Sequence, residues 1–356
     1  MIEVKNISMD YGPVRAVDSV SFTAGDGQVL GLLGPNGAGK TTTMNVIAGH
    51  LSPAAGTVAV NGRDVVENPV EVRKLIGYLP EREPLYPDME VAEFLSFVGK
   101  ARGLAGKELK KRTEWVLDAC TLRPVYRKLL GDLSRGYRQR AGLAQALIHD
   151  PPVLILDELT SGLDPLQTSE IRKLVKGLAH GGNGSGKCII FSTHVMQEAS
   201  AVSDRVVIIN HGRIVAQGEP HEIIHSACAH GSTLITVEGE VEDVQKTLGE
   251  LPRLKELECL GQDENLVSFR IESESDGELW QELAKVIKIK GWLVKEITPS
   301  KPTLEEAFLA LTRSAGKDTG EEEALPEAEE TPPEAEETPP EAGDTGEAAG
   351  DGEVAS

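Results

Sequence analysis

The sequence has no apolar run long enough to cross a membrane; segments such as Val206 to Ile209 fall far short of the roughly 20 residues a spanning helix needs. A secretory leader is missing too, since Met1 to Asp10 mixes acidic and polar residues with apolar ones. The four cysteines, Cys120, Cys188, Cys228 and Cys259, show no paired spacing, which argues against a zinc site or a disulfide framework and suits a reducing compartment. No cluster of Lys and Arg forms a basic face, so nucleic acid is not expected as a partner. What remains is a soluble intracellular chain whose work at a membrane, if it has any, requires a partner.

The charge that is present is unevenly placed. Of the net −21, fourteen charges lie between Ser314 and Ser356, where 15 acidic residues face one lysine, so the rest of the chain carries only −7. That final stretch repeats Glu-Thr-Pro-Pro-Glu-Ala at Glu330 to Ala335 and Glu337 to Ala342. With so few aromatic or branched apolar residues it cannot bury enough surface to offset chain entropy, and residues 314–356 are expected to be a disordered acidic tail. At 356 residues the remainder is long enough for two domains.

The most informative stretch is Gly34-Pro35-Asn36-Gly37-Ala38-Gly39-Lys40-Thr41, between the apolar run Val29 to Leu33 and a helix-like run from Thr42 to His50. A strand, then a glycine-rich turn, then a helix makes a phosphate-binding loop: the glycines let the backbone wrap with its N–H groups inward, and the helix N-terminus favours an anion. Lys40 is suited to neutralise β- and γ-phosphate charge, and the Thr41 hydroxyl to ligand Mg²⁺. Gly181 to Lys187 spells a similar string, but Cys188 follows and the order of elements is reversed, so it reads as a surface loop.

Met1 to Val29 alternates short apolar segments with turns, as an antiparallel sheet at a domain edge does; Tyr11 in that region is a candidate to stack on a purine. Gly56 to Gly62 reads as a strand ending in an Asn-Gly turn, and Ile76 to Leu79 as another strand. Helical periodicity then fills Val91 to Arg102, Lys107 to Cys120 and Tyr137 to His149, a helical insertion over about residues 85–150. The all-apolar run Val153 to Leu156 fits a central parallel strand and ends in Asp157-Glu158. Carboxylates at the tip of a buried strand are costly unless they meet a cation. Asp157 is placed to hold Mg²⁺ through a water, and Glu158 to polarise a water against a γ-phosphate. A further core strand from Ile189 delivers His194 at the same edge, within reach of that phosphate, and a hairpin over Val206 to Gln217 closes the domain near residue 225.

These residues together resemble the ATP-binding-cassette (ABC) ATPases, most closely those that energise exporters with a separately encoded permease. The match covers roughly residues 1–225. Leu133-Ser134-Arg135-Gly136-Tyr137-Arg138-Gln139-Arg140 is similar to the family's signature, Ser161-Gly162-Leu163-Asp164 to the loop that touches the opposite subunit, and His194 falls on the switch histidine. The resemblance implies a P-loop NTPase α/β fold with a mixed sheet core, an antiparallel edge and the helical insertion. It implies ATP contacts from Tyr11 and from Gly34 to Thr42, catalytic roles for Lys40, Glu158 and His194, and Mg²⁺ held by Thr41, Asp157 and Glu81. In trans, Ser134, Arg135, Gly136 and Tyr137 would meet a γ-phosphate bound by a second copy or a paralogue, with Asp164 at the same interface. The expected partner is an integral membrane permease, and the expected location the cytoplasmic face of the cell membrane. Three positions depart from the family pattern: Glu81 replaces a glutamine, Arg135 and Tyr137 stand where glycine and glutamine are commoner, and Leu159 replaces a proline. A soluble relative acting in translation or chromosome maintenance is the alternative, disfavoured by the single cassette and the lack of sustained heptads.

Residues 226–313 read as a second, small α/β module: strand-like Leu234 to Val237, helix-like Val241 to Leu251, strand-like Leu254 to Leu260 and Leu266 to Ile271, helix-like Glu278 to Ile289, and a strand at Trp292 to Ile297. Pro302 to Phe308 opens a terminal helix assigned to the same module.

Overall fold

The computed structural model describes residues 1–160, 163–181, 186–227, 232–251, 254–263, 265–273, 276–300 and 302–319. Ser161 and Gly162, the middle of the Gly181–Lys187 loop, Cys228 and the acidic repeats lie outside the described residues. A hairpin of β1 (Ile2–Tyr11) and β2 (Val14–Ala24) opens the chain, and β3 (Val29–Leu33) leads through the glycine-rich loop into α1 (Lys40–Ile47). Next come β4 (Ala55–Val60) and β5 (Arg63–Asp64), joined by Asn61 and Gly62, both at positive φ as a two-residue hairpin of this hand requires. A short helix, α2 (Pro69–Leu75), precedes β6 (Ile76–Leu79). The helical insertion follows as α3 (Val91–Ala101), α4 (Gly106–Ala119) and α5 (Arg135–Leu147). The first unit continues with β7 (Val153–Leu156), α6 (Pro165–Ala179), β8 (Cys188–Thr193), α7 (Met196–Val202), the hairpin β9 (Arg205–Asn210) and β10 (Arg213–Gly218), and α8 (Pro220–Ala227).

Two sheets organise this unit. One is antiparallel, in the order β2-β1-β4-β5; the other runs β10-β9-β3-β8-β7-β6, parallel throughout except for β10. The all-apolar strands make sense only with both faces covered. Val29 and Leu33 of β3, Ile189 and Phe191 of β8, and Leu154 and Leu156 of β7 point into the core under the helices. Their alternate neighbours, Leu30, Leu32, Ile190, Val153 and Ile155, point into a second core shared with the antiparallel sheet and α1. Burial also pushes the Cys120 and Cys188 thiols up to about 12, as free cysteines in apolar surroundings.

The second unit is β11 (Ser232–Glu238), α9 (Val241–Gly249), β12 (Leu254–Asp263), β13 (Leu266–Ser273), α10 (Asp276–Lys290) and β14 (Val294–Ser300). Its antiparallel sheet, in the order β12-β13-β11-β14, gives the split β-α-β arrangement, with Val237, Val244, Phe269 and Ile271 in its own core. The terminal helix α11 (Leu304–Thr319) does not belong with it, contrary to the sequence expectation. A capping box between Thr303 and Glu306 starts α11, which packs on α8, α7 and β10. Leu304 and Ala307 are buried in the core that holds Val206, Ile208 and Ile223. The pattern of α11 was readable as amphipathic, but which core its apolar stripe covers is a long-range matter. It also runs past Ser314, the expected start of the tail, to Thr319.

An Ala307→Asp substitution places a charge in the core of the first unit and should destabilise that unit by about 2–4 kcal/mol. Thermal unfolding of the full chain, followed with and without nucleotide, checks it; an unchanged nucleotide-sensitive transition would place α11 elsewhere.

Candidate functional site

Parallel pairing fixes where polar chemistry can sit. Leu79 is in register with Leu156, Leu156 with Phe191, and Leu33 with Thr193, so β6, β7, β8 and β3 end along one edge. The residues that follow those ends surround a cavity of about 390 Å³, lined by the loop from Asn36 to Thr42 together with Ala16, Glu81, Glu158 and His194.

The loop conformation depends on two glycines above all. Gly34 has φ 155°, and a Cβ there would lie 2.1 Å from the Ile209 carbonyl oxygen; Gly39 has φ 102°, with the Ala16 carbonyl oxygen 2.4 Å from the same point. Gly39 is also the residue from which α1 starts, so the first N–H groups of the helix open toward the cavity. The turn between β9 and β10 braces the loop from behind, Gly212 donating its N–H to the Ala38 carbonyl at 3.0 Å. Lys40 is buried at the base, donating to the carbonyls of Gly34 (2.8 Å) and Pro35 (3.0 Å), with Glu158 Oε1 3.8 Å away. Burial lowers its pKa, while Glu158, Asp157 and Glu81 act in the opposite direction.

Asp157 has no solvent exposure. Its Oδ1 accepts from the Ser192 hydroxyl and its backbone N–H donates to the Leu79 carbonyl, but Oδ2 is buried with no hydrogen-bond partner. Burial raises its pKa and the nearby Glu81 adds to that; the hydrogen bond from Ser192, the neighbouring Thr41 hydroxyl and the charge of Lys40 lower it. A buried carboxylate oxygen without a donor, beside a threonine hydroxyl and a second carboxylate, is an all-oxygen set that fits a hard divalent cation.

Glu158 takes the left-handed backbone conformation, φ 48°, which costs a non-glycine residue about 1–2 kcal/mol. A hydrogen bond from its N–H to Ser192 Oγ, 2.9 Å, holds it there. Its side chain then reaches two partners at once, Lys40 through Oε1 and His194 Nδ1 through Oε2, the latter at 2.9 Å. The chain thus brings together the phosphate loop, Lys40, Thr41, Thr42, Glu81, Asp157, Glu158 and His194, all singled out in the sequence.

Other expected contacts are elsewhere. Ser134 is at the N-cap of α5 but its hydroxyl makes no capping bond; Ser134 and Arg135 are exposed, Tyr137 is half-buried, and Gly136 is buried against Gln167. None of the four lines the cavity. Asp164 caps α6, accepting from the Gln167 N–H at 2.8 Å. Tyr11 ends β1 with 49 % exposure and is outside the lining, where Ala16 represents that edge instead. The sequence reading missed Ser192, whose hydroxyl holds both Asp157 and Glu158; its position two residues before His194, on the strand that delivers it, was the available signal.

A family model described as ABC transporter matches residues 17–161. The chain is 36 % identical over 258 residues to the Nod factor export ATP-binding protein I of Cupriavidus metallidurans, covering 72 % of this chain and 83 % of that protein. It is 38 % identical over 214 residues to the ABC transporter ATP-binding protein NatA of Bacillus subtilis, covering 60 % and 85 %. Among solved structures it is similar to cbiO1 of Clostridium perfringens, described as part of the ABC transporter complex cbiONQ, with TM-score 0.57 and 28 % identity over 71 % of this chain and 96 % of that one.

Because the folded pKa of Asp157 is raised, its contribution to stability is present below the unfolded value, near 4, and is lost as pH rises through the folded one. In EDTA, Asp157→Asn should therefore melt above the parent at pH 7.5, with the gap shrinking as pH falls, and should lose the thermal gain that magnesium and nucleotide give the parent. A parent more stable than the variant in EDTA would contradict the assignment.

Proposed function

Because this chain belongs to the ABC transporter ATP-binding proteins, we propose that two copies clasp ATP head to tail between them and that the cycle of clasping and release drives a separate membrane permease. The protein is an ATPase that binds ATP with Mg²⁺. The observation that carries the two-copy reading is an asymmetry within one chain. Lys40, Asp157, Glu158 and His194 gather around the phosphate loop, whereas the Ser134–Tyr137 turn is outside that cavity with an uncommitted serine hydroxyl at a helix N-terminus. A γ-phosphate bound by one copy would be met by Ser134 and the Gly136 N–H of the other, with Asp164 at the same contact. ATP then acts as interfacial adhesive, and its hydrolysis removes the contacts that the γ-phosphate made.

Within the site, the N–H groups from Asn36 to Thr42 and the Lys40 ammonium bind the phosphate oxygens and neutralise their charge. Thr41, Asp157 and Glu81 would hold Mg²⁺, which when bound supplies charge neutralisation across the β- and γ-phosphates. Glu158 accepts a proton from the attacking water; the water oxygen bonds to the γ-phosphorus as the bond to the ADP oxygen breaks and its electron pair leaves with ADP. His194 orients Glu158 through the Nδ1–Oε2 bond and faces the γ-phosphate from the neighbouring strand end. Tyr11 is assigned to the adenine by the sequence resemblance. Among the described residues no helix is long and apolar enough to cross a membrane. In this reading the permease is a separate polypeptide, docked on the helical insertion at the cytoplasmic face.

Glu158→Gln should slow ATP turnover by about 10²–10⁴-fold while leaving binding intact, so that the variant elutes as a dimer with ATP. Lys40→Ala should weaken nucleotide binding by about 10–100-fold, the loss of charge-assisted bonds to phosphate. Light scattering after size exclusion, with turnover measured on the same samples, tests both. Parental turnover in Glu158→Gln, or a monomer with ATP and magnesium, would overturn the reading.

A further inference from the structure

Behind the residues that face nucleotide, one charged side chain is almost wholly buried between the two strand ends that carry them. Glu198, in the first turn of α7, is 9 % exposed. Its Oε2 accepts from the hydroxyl of Thr160 and, at 3.2 Å, from that of Thr193, while its Oε1 lies 3.5 Å from an Arg172 guanidinium nitrogen. Thr160 is two residues beyond Glu158, and Thr193 is the residue before His194. The Thr193 oxygen also accepts the N–H of Val195 at 3.0 Å, so the backbone on both sides of His194 is tied to a single hydroxyl that is itself tied to Glu198. Arg172 is on α6, the helix that begins at Asp164.

A carboxylate this deep is retained at a desolvation cost, and three neighbouring donors are what offset it. Two hydroxyls from different strand ends converge on the same oxygen, and the group that can accept both without donating is a carboxylate. We propose that Glu198 is a positioning residue for hydrolysis: it locks the His194 turn and the Glu158-to-Thr160 segment into one register, which keeps His194 Nδ1 against Glu158 Oε2. Glu198 touches neither nucleotide nor water in this role, and the inference rests on the catalytic function proposed above for Glu158 and His194.

The test uses the full chain, with turnover measured against ATP at saturating magnesium and the histidine ring resonances followed by NMR after imidazole labelling, the His194 signal being assigned from its loss in His194→Gln. Glu198→Ala should lower kcat about 10–100-fold, the scale of a small misplacement of a reacting group, with the KM for ATP changed less than threefold. The His194 resonance should shift as the contact of its Nδ1 with Glu158 Oε2 is lost. Glu198→Gln, whose amide oxygen still accepts both hydroxyls, should return kcat to within about fivefold of the parent. A parental kcat in Glu198→Ala, a fall in ATP affinity that accounts for the whole loss, or an unmoved His194 resonance would each overturn the proposal. Should Glu198→Ala fail to fold because Arg172 is left unpaired, Thr193→Val decides by the same two readouts, since it cuts the tie and leaves the Glu198–Arg172 pair in place. Should the parental chain itself turn over no ATP, the function proposed above is at fault, and the His194 resonance alone then decides for or against Glu198.

Discussion

A carboxylate buried at the end of a central strand, with one oxygen facing no donor, is the constraint around which this site is built. Asp157 is there because β7 is covered on both faces, and it stays tolerable because Ser192 supplies a hydrogen bond and Lys40 an opposite charge. The same burial that makes it costly leaves an oxygen that a cation, directly or through a water, would satisfy. Lys40 is under the complementary strain: buried, its charge is supported by Glu158, Asp157 and Glu81. A polyanion accompanied by a dication therefore relieves two buried charges together, which gives the ATP-binding subunit a reason to bind the magnesium complex rather than either species alone.

Glu158 illustrates how the backbone shares in this. Its left-handed conformation is unfavourable in isolation, yet it turns the carboxylate away from the strand direction taken by Asp157 and toward His194. Adjacent residues in an extended strand point to opposite faces, so without the change of conformation the two carboxylates could not serve one cavity with different partners. Ser192 makes the arrangement coherent, because its oxygen bonds the side chain of one and the backbone of the other.

Much of this is legible in the sequence alone. The phosphate loop announced itself through glycine spacing and a Lys-Thr ending, and Asp157, Glu158 and His194 through the apolar runs that deliver them, since such runs imply parallel strands ending on a common edge. What was hidden falls into two physical classes. Short helices such as α2 and α7, each seven residues, offer too few turns for periodicity to register. Long-range pairings leave no local trace: Glu198 looks like one more acidic residue on a surface helix until Thr160, 38 positions earlier, is found against it, and the destination of α11 depends on a core formed a hundred residues upstream.

The return of α11 gives the second unit an unusual topological status. The polypeptide leaves the cassette through α8, builds the whole β11-to-β14 sheet, and comes back to rest beside α8 and α7. The small sheet is therefore a loop excursion with two moorings rather than an appendage hung from one thread. Any torque or displacement it receives is delivered at both feet, one of which rests against the helix that follows His194. Evolution or engineering could exchange the excursion for another of matching foot spacing without cutting into the nucleotide-binding chain itself.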